Sequence, residues 1–112
     1  MILACSGGSN VGQLSNQAAI ELTQEGFGKM FCLAGVGGRV PGIMKTTEAA
    51  EGILAIDGCP LDCVKNCLEQ AGFTKYDHLR VTDLGFEKGK SAPSSESIAT
   101  VGEAGAGKLG CC

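Results

Sequence analysis

Short apolar runs alternate along this chain with stripes of apolar residues spaced by three and four. Residues 2–5 (ILAC), 30–34 (MFCLA) and 53–56 (ILAI) are uniformly apolar, and a fourth, mixed run spans 78–84 (HLRVTDL). Between them Val11, Leu14, Ala18 and Leu22 recur at helical spacing, as do Leu61, Val64, Leu68 and Ala71, while 43–51 (IMKTTEAAE) is a weaker helix. Ser9 or Asn10 can cap the first helix and Gly26 end it; Pro60 suits the first turn of the third helix and Gly72 closes it. The predicted order is strand, helix, strand, helix, strand, helix, strand. Runs without polar alternation indicate strands buried on both faces, and connections that contain helices favour parallel pairing. The expected fold is α/β, a small three-layer open sheet of about four mainly parallel strands with flanking helices, in the order 2-1-3-4 by analogy with other open sheets.

A chain of 112 residues fits one domain. From about Glu87 its character changes to KGKSAPSSESIATVGEAGAGKLGCC. The division expected is an α/β metal-binding domain over 1–90 and a Gly/Ser/Ala-rich tail over 91–112. That tail is expected to be poorly ordered, with at most a short helix near Ser95–Val101.

Composition narrows the function. With 44% hydrophobic and 19% charged residues the chain is an ordinary globular sequence. Its net charge of −3, without a basic cluster, argues against a nucleic-acid partner. No run approaches the roughly 20 apolar residues that cross a bilayer, and the four residues ahead of Cys5 are too few for a signal segment, so a cytoplasmic protein is expected. Seven cysteines cannot all pair within one chain, which fits reduced thiols in that compartment.

The cysteines carry the candidate chemistry. In an open parallel sheet the carboxyl ends of the strands border the ligand crevice. Cys5 ends the first run, Cys32 lies inside the second and Cys59 follows the third, while Cys63 falls in the first turn of the next helix and leans back towards Cys59. Four thiolates suit tetrahedral Zn²⁺, although thiolates also hold iron–sulfur clusters. The helix start would lower the thiol pKa of Cys59. A cysteine in a central strand is equally what plain core packing produces, and Cys67, one turn further along beside Val64 and Ala71, reads as core.

The strings CSGGSNVGQLSNQAA, KMFCLAGVGG and AIDGCPLDC, in this order and spacing, resemble the DGC-domain family, named for the Asp-Gly-Cys that is here Asp57-Gly58-Cys59. The resemblance covers roughly residues 2–90 and implies zinc held by four cysteines, matched residue by residue to Cys5, Cys32, Cys59 and Cys63. It implies no reaction.

A second reading is a thiol, redox or sulfur-transfer enzyme in which Cys59 attacks and Cys63 or Cys32 resolves the intermediate. The sequence sets no histidine or lysine next to Cys59 as a base, and the arginine of cysteine-phosphatase loops is missing after Cys5. The Ser6–Asn10 loop could hold a small anion at a helix N-terminus, or be a tight turn. GEAGAGK at 102–108 imitates a phosphate loop but lacks its hydroxyl residue. Asp57 and Asp83 end strands on the thiol side, where either could orient a neighbour or simply form a turn. His78, at the start of the fourth run, is expected at the far end of the sheet. Cys111 and Cys112, adjacent and too close for an unstrained mutual disulfide, could form a dithiol for a soft metal.

Overall fold

The uniform apolar runs do form strands. In the computed structural model, which describes residues 1–90 and 92–109, strand β1 (Ile2–Ala4), strand β2 (Leu54–Asp57) and strand β3 (Asp77–Arg80) make a parallel sheet in the order β1-β2-β3. Ile2 stands opposite Leu54, and Asp57 opposite Arg80. Every residue of β1 and β2 is buried, because helices cover both faces. Helix α1 (Asn10–Gln24) and helix α5 (Ser95–Lys108) lie on one side, where Ile2, Ala4, Leu54 and Ile56 meet Val11, Ala18, Leu22 and Val101. Leu3 and Ala55, pointing the other way, meet Val36, Val64 and Leu68 from helix α2 (Leu33–Gly37) and helix α4 (Cys63–Gln70). Helix α3 (Pro41–Ala49) closes that layer with Ile43 and Met44.

Among the described residues the strand count is three, not four. Of the second apolar run only Met30 pairs, in a parallel bridge to Ile2, flanked by Ile2 N–H donating to Lys29 O and Phe31 N–H donating to Ile2 O, both at 2.8 Å. The bridge lies outside β1, so the expected neighbour order is kept although the strand is not. Leu33 onward turns into α2, an outcome that a short apolar run allows as readily as a strand. The fourth run is also shorter than expected: β3 stops at Arg80 and Val81–Leu84 form a 3₁₀ turn ended by Gly85 at φ 96°.

The larger correction concerns the expected tail. Residues 95–108 form a helix whose Val101 is fully buried, started by a capping box in which Ser94 Oγ accepts from Ser97 N–H at 3.1 Å. Small residues bring it close: a Cβ on Gly105 would stand 2.8 Å from Leu22 Cδ1 and 3.4 Å from Leu54 Cδ2. Among the described residues no helix is long and apolar enough to cross a membrane. Cys111 and Cys112 lie outside the described residues.

Candidate functional site

Because the strands are parallel, the residues that follow them share one edge of the sheet. Cys5 comes directly after β1, and its N–H still donates to Ile56 O at 2.9 Å. Cys32 is two residues beyond Met30, which bridges Ile2, and so stands towards the same carboxyl edge. It caps α2 instead of lying in a strand. Cys59 sits two residues beyond β2 and Cys63 opens α4. All are free thiols; Cys32 and Cys63 are exposed, while Cys5, Cys59 and Cys67 are half-buried.

The loop after β1 is stitched to α1. Gln13 Nε2 donates to Ser6 O at 3.0 Å and to Gly7 O at 2.8 Å, and the single hydroxyl hydrogen of buried Ser15 is shared between Cys5 O and Gly12 O. Within the loop Gly7 N–H donates to Cys5 Sγ at 3.4 Å, as Gly35 N–H does to Cys32 Sγ. The Gly7 and Gly12 donors are thereby committed to Cys5 Sγ and Ser9 Oγ.

Helix α4 begins at Cys63, not Pro60, so its positive end faces Cys63 rather than Cys59. Desolvation pushes the Cys63 thiol above its ordinary pKa, and the neighbouring Cys5, Asp57, Cys59 and Cys67 push it the same way. Cys67 also packs on α2, its sulfur 3.7 Å from where a Cβ on Gly37 would lie. Cys5, Cys59 and Cys67 are near enough to act on Cys63 electrostatically, but among the described residues no three cysteines bring their sulfurs within 4.8 Å of one another. Among the described residues, the metal-capable side chains whose ligand atoms all fall within 4.8 Å of one another are Asp57, Asp62 and His78.

That trio is a satisfied hydrogen-bond network. Asp57, 1% exposed, accepts from Val64 N–H at 2.7 Å through Oδ1 and from Lys65 N–H at 3.1 Å through Oδ2. It thus caps α4 from the end of β2. Its Oδ2 also lies 2.8 Å from His78 Nε2, which must carry the proton because a carboxylate only accepts. Asp62 is gripped by Arg80, Nε to Oδ1 at 2.8 Å and Nη2 to Oδ2 at 2.5 Å, and this guanidinium holds the Asp62 carboxyl below the usual carboxylate range.

Three sequence expectations change here. His78 reaches the thiol edge instead of the far end, since β3 ends only two residues later and its side chain extends along the strand to Asp57. Asp83 is exposed and meets Arg80 only at 3.4 Å. Cys59 does have a lysine: Lys88 Nζ lies 3.9 Å from its sulfur. Asn10 fixes that segment, donating to Glu87 O at 3.0 Å and accepting from Gly89 N–H at 2.6 Å, a long-range clamp that local sequence does not reveal.

Gly58 explains why the residue between Asp57 and Cys59 is small. A Cβ there would lie 2.7 Å from Val11 C and 2.8 Å from Gly12 N, both backbone atoms at the start of α1. A family model for the DGC domain matches residues 1–104 of this sequence, reaching well into α5. The chain belongs to the DGC-domain family. It is 43% identical over 88 residues to the anaerobic and virulence modulator AnvM of Pseudomonas aeruginosa, an alignment spanning 79% of this chain and 67% of AnvM. No solved structure matches.

The DGC triplet therefore divides its labour. Asp57 caps α4, Gly58 allows the loop onto α1, and Cys59 is left at the rim. Backbone neighbours cannot turn aside as a side chain can. Gly58→Ala is expected to cost about 2 kcal/mol of overpacking, measured as a lower urea midpoint with an unchanged slope.

Proposed function

We propose that this DGC domain is a thiol-based metal-binding module, with zinc held by Cys5, Cys32, Cys59 and Cys63. The observation that carries the reading is the convergence of separate chain segments: the thiols after β1, at the cap of α2 and at both ends of the β2–α4 loop all belong to the carboxyl edge. The chemistry of the donors fits, since thiolates are the ligands Zn²⁺ takes in closed tetrahedral sites. Backbone amides of Gly7 and Gly35 hold the Cys5 and Cys32 sulfurs in place. A bound ion would tie β1, α2 and α4 together, and four protein ligands leave no open position for substrate, so the role is structural or regulatory. The name of the relative AnvM, a modulator, agrees with a regulatory role. A reducing cytoplasm suits such thiols.

A second reading is favoured by one contact. Lys88 Nζ, 3.9 Å from Cys59 Sγ, puts a cation beside the thiol that this reading makes the nucleophile. Elemental analysis of protein purified without added metal separates the two. The metal reading expects one zinc per chain, lost in Cys→Ser variants at positions 5, 32, 59 and 63 but retained in Cys67→Ser. Metal-free protein in which Cys59 is alkylated fastest would sink it and support the nucleophile.

A further inference from the structure

The Cys59–Cys63 loop is held more firmly than its burial requires. Pro60 and Leu61 are exposed, Leu61 at 67%, so apolar packing does not fix the loop's shape. Its last residue, Asp62, is left-handed at φ 51° and ψ 51°, a conformation uncommon for residues with a Cβ although aspartate takes it more readily than most. At an ordinary helix start this aspartate would cap its own helix, as Ser9 does for α1 and Ser94 for α5. Here the cap comes from Asp57, and Asp62 is turned outward to Arg80.

Arg80 and His78 are two residues apart on β3 and so share one face of the strand. His78 Nε2 spans the two carboxylates, 2.8 Å from Asp57 and 3.7 Å from Asp62, while the Arg80 fork closes on Asp62. Tyr76 meets the His78 ring edge-on, centroids 6.4 Å apart. The segment from Asp57 to Asp62 is therefore clamped at both ends by side chains of a neighbouring strand, and pinned in between where Gly58 rests on α1.

We propose that Arg80 and His78 are positioning residues for the rim thiols: by clamping Asp62 and Asp57 they set the spacing and direction of Cys59 and Cys63. This assignment takes its purpose from the metal-binding reading, but the clamp is testable without metal. In metal-free full-length protein, alkylation of each cysteine is followed by mass spectrometry, with Cys32 and Cys67 as references in the same molecule. Arg80→Ala is expected to change the Cys59 and Cys63 rates several-fold relative to the references while cooperative unfolding is kept. Arg80→Lys should not restore them, because a single ammonium cannot replace the two-pronged grip. Adding Asp62→Gly to Arg80→Ala should bring the ratio back towards wild type, since glycine takes the left-handed conformation freely. Likewise His78→Ala should disturb the ratio and His78→Gln largely preserve it. In zinc titrations the disturbed variants should bind about 10–100-fold more weakly, the range for groups that orient ligands.

Unchanged ratios in both Arg80→Ala and His78→Ala overturn the proposal, and so does an equal change in all the thiols, which is what general loosening produces. If Arg80→Ala does not fold, Arg80→Lys takes its place beside His78→Ala, and the same two outcomes overturn the clamp. Wild-type protein that holds no zinc would defeat the tetrathiolate reading and leave the alkylation ratios to decide the clamp.

Discussion

A chain ending at Lys90 is expected to lose its cooperative unfolding transition. Helix α5 lies across α1 and the sheet, burying Val101 completely and bringing Ile98, Ala104 and Leu109 against the core that contains Leu22, Leu54 and Leu79. Without it, at least three large aliphatic side chains become wet, at about 1.5–3 kcal/mol each, for a loss on the order of 5 kcal/mol. That equals the lower end of the stability of a whole domain, roughly 5–15 kcal/mol. The shortened chain should bind a hydrophobic dye and unfold in urea without a sigmoid. A sharp transition near the full-length midpoint would mean that α5 is dispensable and that residues 1–90 are the cooperative unit.

The second large effect is expected at Asp57. In Asp57→Ala, the Val64 and Lys65 N–H groups at the start of α4 lose their acceptor, and His78 loses its partner. Stranded buried donors cost about 1–3 kcal/mol apiece, and the bonds lost are charge-assisted, so a total near 4 kcal/mol is expected. At about 4–8 °C per kcal/mol for a domain of this size, the melting temperature should fall by roughly 15–30 °C. Asp57→Asn keeps one oxygen acceptor and should cost about half as much. Equal, small losses in the two variants would show that water replaces the carboxylate and that α4 does not depend on it.

Much of this was legible in the sequence, for identifiable reasons. The runs at 2–5 and 53–56 show no polar alternation because Leu3 and Ala55 are as buried as Ile2, Leu54 and Ile56. The placing of Cys5 and Cys59 at the carboxyl edge follows from parallel pairing alone. The run at 30–34 misleads because five apolar residues suit a strand and a helix start equally, and Cys32 turns out to cap α2. The α5 helix is hidden by its own composition. Its glycines permit close approach to α1 and the sheet, yet glycine and serine read as loop when taken without a partner surface. Ser94 followed by Ile98, Val101 and Gly105 at three-four spacing was the signal available. The carboxylate network was illegible for another reason: His78 and Arg80 meet Asp57 and Asp62 across 18 to 21 residues, and only the pairing of β3 with β2 brings them within reach.

The left-handed Asp62, locked by Arg80, has a thermodynamic consequence for whatever the rim captures. A loop tied at both ends by such contacts would surrender less conformational entropy on taking up a guest than an untied one, so affinity there would depend more on fit than on the cost of freezing the chain. On the proposal that these thiols take a metal ion, discrimination among ions would then fall to radius and coordination geometry, since a guest of the wrong size would meet a frame that resists reshaping.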